Sequence, residues 1–469
     1  MSQLVSEGDE NFRFGQMYEA TASNVHPFLY YALVHFVSSI FTGIFSKWIG
    51  LSINILLLIP ILIVVKKLAW KLSGENEIIT LITMLLCGLS PATMSMTMLI
   101  RMYLLLSLWT LWYAYLHVMD LEREKLSVTK FLLPVFICGF CGFLTQYFFV
   151  VIMFFITFVY AFYLLVFCRR VKDAVIYGFT ALFSLICTYF VWPVSYFHIF
   201  KGYRGKGAVS QLKDVAHLGK RLFSHLDYLN TMVFAGTLPV FAILLIAGTV
   251  LLLRRVRQLR KQSQKNILRS FSVSTRGIIL LSIAAVLNFL ILTQLGLLDG
   301  ITCCRHTYTS YALFLVLLPS CTYKLLTSLM PARRQIASAC TIAAFLAVLL
   351  LGYVEKNVLF LYEGEKVATT YAKEHPDAKV VMFQADNGMY DSRIQELIMY
   401  PQVYYISVND LSTAEDETIA NADELLVYMT TQTDDQEACF ESIYRQNPKL
   451  TQADHLWDSN YFFSVYLMH

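Results

Sequence analysis

Residues 48–65 read WIGLSINILLLIPILIVV, a stretch without a single charged side chain. A helix that crosses the hydrocarbon core of a bilayer needs roughly 17–25 mostly apolar residues, and this stretch supplies them. Backbone groups in lipid must pair within their own segment, so the stretch reads as a helix rather than a strand. Working outward, the same signature recurs at 78–97, 102–119, 131–146, 147–167, 175–195, 232–253, 277–297, 308–323 and 335–354. Over the 469 residues 57% are hydrophobic and only 15% charged, against about a quarter charged in soluble domains. The expected fold is mainly α: a polytopic helical membrane protein of about ten transmembrane helices with a small C-terminal α/β domain.

The net charge of +4 conceals two bodies of different chemistry. From Glu355 onward there are 20 acidic and 7 basic residues, a net of −13, whereas the preceding 354 residues carry a net of +17. The basic residues of the first body sit in short loops between apolar runs. There they act as topology signals, and nucleic acid is not an expected partner. One set of loops holds Lys66, Lys67 and Lys71, then Arg123, Lys125 and Lys130, then Arg169, Arg170 and Lys172. The Arg254–Arg276 cluster, Lys324, Arg333 and Arg334 bring that side to 20 basic residues, against 10 on the other. The richer side is cytosolic by the positive-inside rule. The alternation requires that 27–45, apolar but carrying His35, lie along the membrane face as an amphipathic helix. The organisation expected is an extracytoplasmic segment 1–47, a transmembrane domain 48–354 and an acidic extracytoplasmic domain 355–469.

Within that last domain Ala378–Gln384, Gln402–Ser407 and Leu425–Met429 are short β-rich runs, separated by helical stretches near 364–374, 391–399 and 435–446. That alternation suggests a parallel core. Asp386-Asn387-Gly388 marks a turn, and the pairs Asp423-Glu424 and Asp434-Asp435 lack EF-hand spacing. The ten cysteines define no zinc site: Cys138 and Cys141 are spaced for one but lie within an apolar helix without histidine partners. Cys439, the single cysteine after residue 354, is expected to report the sidedness of the tail to an impermeant thiol reagent.

Four polar clusters fall at the outer helix ends, where burial is costly. They are His26-Pro27-Phe28-Leu29-Tyr30-Tyr31 behind Asp9-Glu10, then Arg101-Met102-Tyr103, Thr145-Gln146-Tyr147, and Arg305-His306-Thr307-Tyr308. Each has a plainer reading: Arg101 as an arginine snorkelling to headgroups, the tyrosines as an aromatic belt, His26 as a helix start. Their coincidence on one face is what makes them a candidate site. The basic loop from Lys201 to Arg221 fits either a solvated cover or an attraction to anionic lipid or glycan phosphate.

The stretch VHPFLYYALVHFVSSIFTGIFSKWIGLSINILLL resembles the His-Pro-Pro-Leu-Tyr-Tyr segment and following helix of the GT-C membrane glycosyltransferases, among them protein O-mannosyltransferases and aminoarabinose transferases. LSPATMSMTMLIRMYLLLSLWTL resembles their Arg-x-Tyr block, GFLTQYFFVV their Leu-Thr-His-Tyr hairpin, and CCRHTY with Pro319 an Arg-Tyr…Pro block. Phe28 stands where the family has a second proline, and Gln146 where it has a histidine. The resemblance implies inverting, hexosyltransferase-type transfer of a sugar from a polyprenyl-phosphate carrier to an extracytoplasmic acceptor at a bacterial plasma membrane. A carboxylate near the acceptor hydroxyl would be the base. The leaving phosphate needs fixed positive charge, which the planar fork of arginine supplies. Arg101 and Arg305, supported by His26 and Tyr103, are the expected phosphate ligands, and Asp9 and Glu10 the acidic candidates. The family's acidic pair follows a first helix that has no counterpart here, so the chain is expected to be a shortened and inactive form. No cofactor is identified, a divalent metal is left open, and acceptor and donor sugar are unnamed. A transporter or flippase and a catalytically silent scaffold are the competing readings.

Overall fold

The structure, a computed structural model, describes residues 8, 10–23, 25–44, 46–261, 271–296, 301–360, 365–384, 394–411, 417–431, 433, 435–459 and 463–469. It divides into a helical unit ending at Leu359 and a second unit, Phe360–His469.

The helical unit opens with α1 (Phe14–Ala22) and α2 (Leu29–Ile40). At 1.5 Å per residue the twelve residues of α2 reach about 18 Å, too short to cross a bilayer. The deciding stretch forms α3 (Lys47–Ser73). Ser46 caps it by accepting from the Trp48 amide, and Gly74 stops it in the left-handed region at φ 73°. Next come α4 (Glu77–Leu89) and α5 (Pro91–Met98), bent by 41° at Ser90, the form of a broken span or a re-entrant loop. After α6 (Tyr103–Asp120) follow α7 (Leu133–Thr145), entered through a π-helical turn at Val128–Leu132, then α8 (Phe149–Phe162) and α9 (Val171–Val191). Two short helices, α10 (Tyr203–Lys213) and α11 (Leu218–Leu229), lead to α12 (Leu238–Lys261), α13 (Val273–Leu295), α14 (Tyr308–Leu329) and α15 (Arg334–Val354).

Among the described residues eight helices are long and apolar enough to cross a membrane, nine with the bent pair. The tenth expected span, α6, is less apolar because Trp109, Trp112, Tyr113, Tyr115 and His117 interrupt its leucines. Those side chains are tolerated because the helix is enclosed by α3, α7, α8, α13 and α14, with fourteen of its eighteen residues buried.

The basic loops counted in the sequence meet at one end of the bundle. Lys71 Nζ lies 3.0 Å from Glu122 and 3.1 Å from Glu75. Arg170 donates to the Arg123 carbonyl at 3.1 Å, and Arg276 to the Tyr163 hydroxyl at 2.6 Å. Asp120, buried at the end of α6, accepts from Tyr160 at 2.5 Å and from Arg123 at 3.3 Å. A carboxylate placed there is retained because both its oxygens have donors.

The second unit is a five-stranded sheet in the order β2-β1-β3-β5-β4, from β1 (Val380–Gln384), β2 (Val403–Ser407), β3 (Leu425–Thr430), β4 (Ala453–Ser459) and β5 (Phe463–Met468). The expected parallel core is β2-β1-β3, and β5 and β4 extend it antiparallel. Of those two, β4, ADHLWDS, escapes a hydropathy reading because it is a polar edge strand, whereas β5, FSVYLM, is apolar and is missed by the sequence reading. Helices α16 (Glu365–Glu374) and α17 (Ile394–Leu397) cover the face of Val380, Met382 and Leu426, and α18 (Glu417–Ala420) and α19 (Gln436–Gln446) the face of Val381, Phe383 and Val427. The turn expected at Asp386-Asn387-Gly388 lies outside the described residues. Cys439 points into this second core, 1% exposed, and burial pushes its thiol up to about 11. The thiolate is the reactive form, so a buried Cys439 is a slow reporter of sidedness compared with what the sequence suggested. Glu441, exposed on the same helix, is the position to label.

Candidate functional site

The end of the bundle opposite the basic loops is organised by the interruption between α5 and α6. Where α5 stops at Met98, the carbonyls of Thr97 and Leu99 lose helical partners in a place that lipid and protein keep dry. Asn54, fully buried on α3, donates its amide to both, at 3.0 and 2.8 Å. Its carbonyl oxygen accepts from the Tyr30 hydroxyl at 3.3 Å, which ties the start of α2 to the same point. One turn earlier on α3, Gly50 has no side chain because Ile100 occupies the space a Cβ would take. Positions 50 and 54 thus clamp Leu99-Ile100 from one helix face, and the next residue, Arg101, projects a half-buried guanidinium that donates to the Tyr31 hydroxyl at 3.3 Å.

The remaining motifs continue round the same end. Tyr103, buried, meets the Tyr308 ring edge-on at 6.0 Å between centroids. Tyr308 follows the 3-10 turn Ile301–Thr307 that carries Arg305 and His306, and the His306 ring stands 5.1 Å from Phe148 at the start of α8. In the hairpin before it, Thr145 accepts from Trp109 at 3.1 Å, and the Gln146 carbonyl oxygen accepts the Tyr147 amide at 2.8 Å. Gln146 therefore caps the hairpin rather than reaching outward.

Tyr147 is a staple. Its hydroxyl accepts from Trp192 at 2.9 Å and lies 2.7 Å from His198 Nδ1, while His198 Nε2 lies 3.1 Å from the Ala22 carbonyl. A carbonyl only accepts, so Nε2 carries the proton and Nδ1 receives the Tyr147 proton. Burial lowers the His198 pKa from its ordinary value of 6.5. Trp192 also packs against Phe28 at 5.1 Å and Tyr18 at 4.7 Å. An aromatic ring at position 28 is thereby explained: it fills the wall that docks α1 on the bundle.

The structure gathers Arg101 with Tyr31, and Tyr103 with the turn that bears Arg305; both arginines and His26 are partly exposed. It does not gather Glu10. Asn11 donates to Thr42 at 2.7 Å and the Phe12 amide to Ser39 at 3.0 Å, so this segment lies at the far end of α2, about 12 Å along the helix from Tyr31. Asp9 lies outside the described residues. The other described carboxylates here are Glu19, Asp214, Asp227 and Glu355, and Asp214 is paired with Arg221 at 2.6 Å. Among the described residues no three His, Cys, Asp or Glu side chains converge as metal ligands. Sequence reasoning missed Asn54, Trp192 and His198. The signal for Asn54 was available, since it is the one amide side chain in 48–65.

No protein-family model and no curated protein matches the chain. Among solved structures it is similar to the apo-state crystal structure of ArnT from Cupriavidus metallidurans, at 11% identity and a TM-score of 0.49, over 99% of this chain and 94% of that one.

Two outcomes follow from this geometry. Asn54→Leu leaves the buried Thr97 carbonyl without its donor, at about 1–3 kcal/mol, and the Leu99 carbonyl with the Arg101 amide alone, so the detergent-solubilised variant should melt a few degrees below the parent. Unchanged melting would mean that the clamp is not formed. His198 is held neutral, so the unfolded chain binds its proton first as pH falls. The stability that depends on neutral His198 is complete well above about 6.5 and is lost as pH falls below it. Hydrogen exchange of Phe14–Ala22 should therefore lose protection between pH 7 and pH 5, and His198→Gln should flatten that dependence.

Proposed function

We propose that this chain is a GT-C-type membrane glycosyltransferase that moves a sugar from a polyprenyl-phosphate carrier to an acceptor on the extracytoplasmic side. The observation that carries the reading is Arg101. A helical segment is interrupted, and its freed carbonyls are satisfied by a dedicated asparagine, at the point where one half-buried arginine is delivered to the mouth of the bundle beside a tyrosine. An arginine that merely snorkelled to headgroups would need none of this support. A guanidinium so fixed can hold two oxygens of a phosphodiester and stabilise the charge that develops as the carrier phosphate departs. Arg305 on the turn before Tyr308 is the second proposed phosphate ligand. His26 and Tyr103 are proposed in supporting roles, His26 as a donor and Tyr103 in fixing that turn through Tyr308. The base that takes the acceptor proton would be a carboxylate at this end. Asp9 and Glu10, ahead of His26 in sequence, are fallback candidates for it rather than the family's own pair, and Glu10 as placed is remote from Arg101. The end rich in Lys and Arg is proposed to face the cytosol, which puts the acidic C-terminal unit outside a plasma membrane.

The bend at Ser90 lends the transporter reading one observation, because transporters use broken helices to hold ions and substrates. Here two of the freed carbonyls are already taken. Thr93 donates to Cys87 at 2.7 Å and Tyr353 to Leu89 at 2.7 Å. The surroundings are apolar, with Ile61, Met96, Leu104, Leu111 and Leu315. That is a sealed kink rather than a binding site.

Two measurements test the proposal. Native mass spectrometry of the purified protein with added polyprenyl phosphate should show a bound carrier, and Arg101→Ala should weaken it about tenfold or more. Arg101→Lys should lose nearly as much, since lysine keeps the charge but not the fork. Equal binding by all three proteins would leave Arg101 only its interfacial role. An impermeant maleimide should label Glu441→Cys in intact cells; labelling only after permeabilisation would reverse the orientation.

A further inference from the structure

The segment Tyr196–Leu229, between α9 and α12, is built with two dissimilar sides. Its inner side is a buried polar clamp. Arg221 on α11 has no exposed side-chain surface, and its guanidinium reaches the Asp214 carboxylate at 2.6 Å and the carbonyls of Gln211 at 3.0 Å and Gln294 at 3.3 Å. Gln294, at the end of α13, donates back to the carbonyls of Gln211 at 2.8 Å and Asp214 at 3.0 Å. His225 and Leu229, one and two turns on from Arg221, are buried on the same face. The clamp seats α10 and α11 on the end of a transmembrane helix. It also corrects the sequence reading of Arg221 as one more charge of a solvated basic loop.

The outer side is apolar and cationic. Phe223 follows Arg221 by two residues, about 200° round the helix, and is 77% exposed. Val215, Leu218, Val209 and Phe200 are exposed with it. Lys201, Lys206 and Lys213 are exposed among them, and the segment carries six Lys and Arg against two Asp, a net of +4. So many exposed large apolar side chains on one short segment are unusual for a water-facing helix pair. Along the chain the segment follows α9, where Phe183, Ile186 and Phe190 are exposed, and Tyr196 and Phe197 at its start are exposed as well. The strap therefore adjoins the exposed apolar flank of a candidate spanning helix in the chain, and its charge is complementary to phosphate headgroups.

We propose that Tyr196–Leu229 is an interfacial strap that docks on the bilayer, Phe223, Leu218 and Val215 entering the acyl boundary and Lys201, Lys206 and Lys213 engaging anionic lipid phosphates. The inference is independent of the transferase reading, because it concerns a surface remote in sequence from Arg101 and is measured without sugar transfer. The test places the photo-crosslinking residue p-benzoylphenylalanine at Phe223, and separately at Val215, in the whole protein reconstituted in phosphatidylcholine vesicles with or without phosphatidylglycerol. Peptide mass spectrometry should find lipid adducts at both positions and none for the same probe at Glu441. The yield should rise several-fold with phosphatidylglycerol, fall with added salt, and lose that rise in Lys206→Glu/Lys213→Glu. Adducts confined to other protein segments at both positions would overturn the docking. Lipid adducts indifferent to phosphatidylglycerol and to the lysine pair would overturn the phosphate contact.

Discussion

Everything at the candidate site depends on one constraint: an interrupted helix inside a membrane must find donors for the carbonyls it frees. The chain breaks its helical course at Ser90 and again after Met98, and each freed carbonyl named above has an answer. Thr93 serves Cys87, Tyr353 serves Leu89, and Asn54 serves Thr97 and Leu99. Outside a membrane water would fill these valences at little cost, and the breaks would be unremarkable loops. In a dry bundle each unmet carbonyl costs enough to straighten or unfold the segment, so the donors fix the course of the backbone. Because Arg101 follows Leu99 by two residues, its position is inherited from Asn54.

The same economy governs α6. It carries the polar and aromatic residues that would disqualify it as a lone span, and it survives because other helices surround it. His117 Nδ1 lies 2.6 Å from the Tyr113 carbonyl and its Nε2 2.5 Å from the Tyr177 hydroxyl, and Asp120 is held by Tyr160 and Arg123. The bonds to Tyr177 and Tyr160 cross from α6 to α9 and α8, where greasy contact alone would leave the helices free to slide. In a lipid solvent apolar packing has no hydrophobic drive between helices, so polar pairs and close approaches such as Ile100 against Gly50 carry the register.

The two ends of the bundle use aromatic residues differently. At the end with the basic loops, tyrosines satisfy charged partners. At the other end, Trp192, Tyr147, Phe28 and Tyr18 build a wall on which α1 docks, and the strap of α10 and α11 is clamped onto α13 by Arg221. Helices too short to span are thus fixed to the bundle by buried polar bonds and aromatic packing.

The sequence alone determined the class of fold, because apolar length and charge asymmetry are properties of the solvent and need no neighbour. Runs such as 48–65 can only be spanning helices, and the Lys and Arg between them collect at one end. The alternation of 378–384, 402–407 and 425–429 in the tail likewise announced three parallel strands, since buried strands must be apolar whatever covers them. Tertiary structure decided what depends on partners distant in the chain. Glu10 is near His26 in sequence, yet Asn11 and Phe12 bond to the far end of α2, which removes it from Arg101. Arg221 looked like one of six solvated cations until Asp214 and Gln294 surrounded it. Cys439 looked accessible until a sheet closed over it. Asn54 was visible as an amide in an apolar run, but its meaning came from two carbonyls more than forty residues away, which no local pattern encodes.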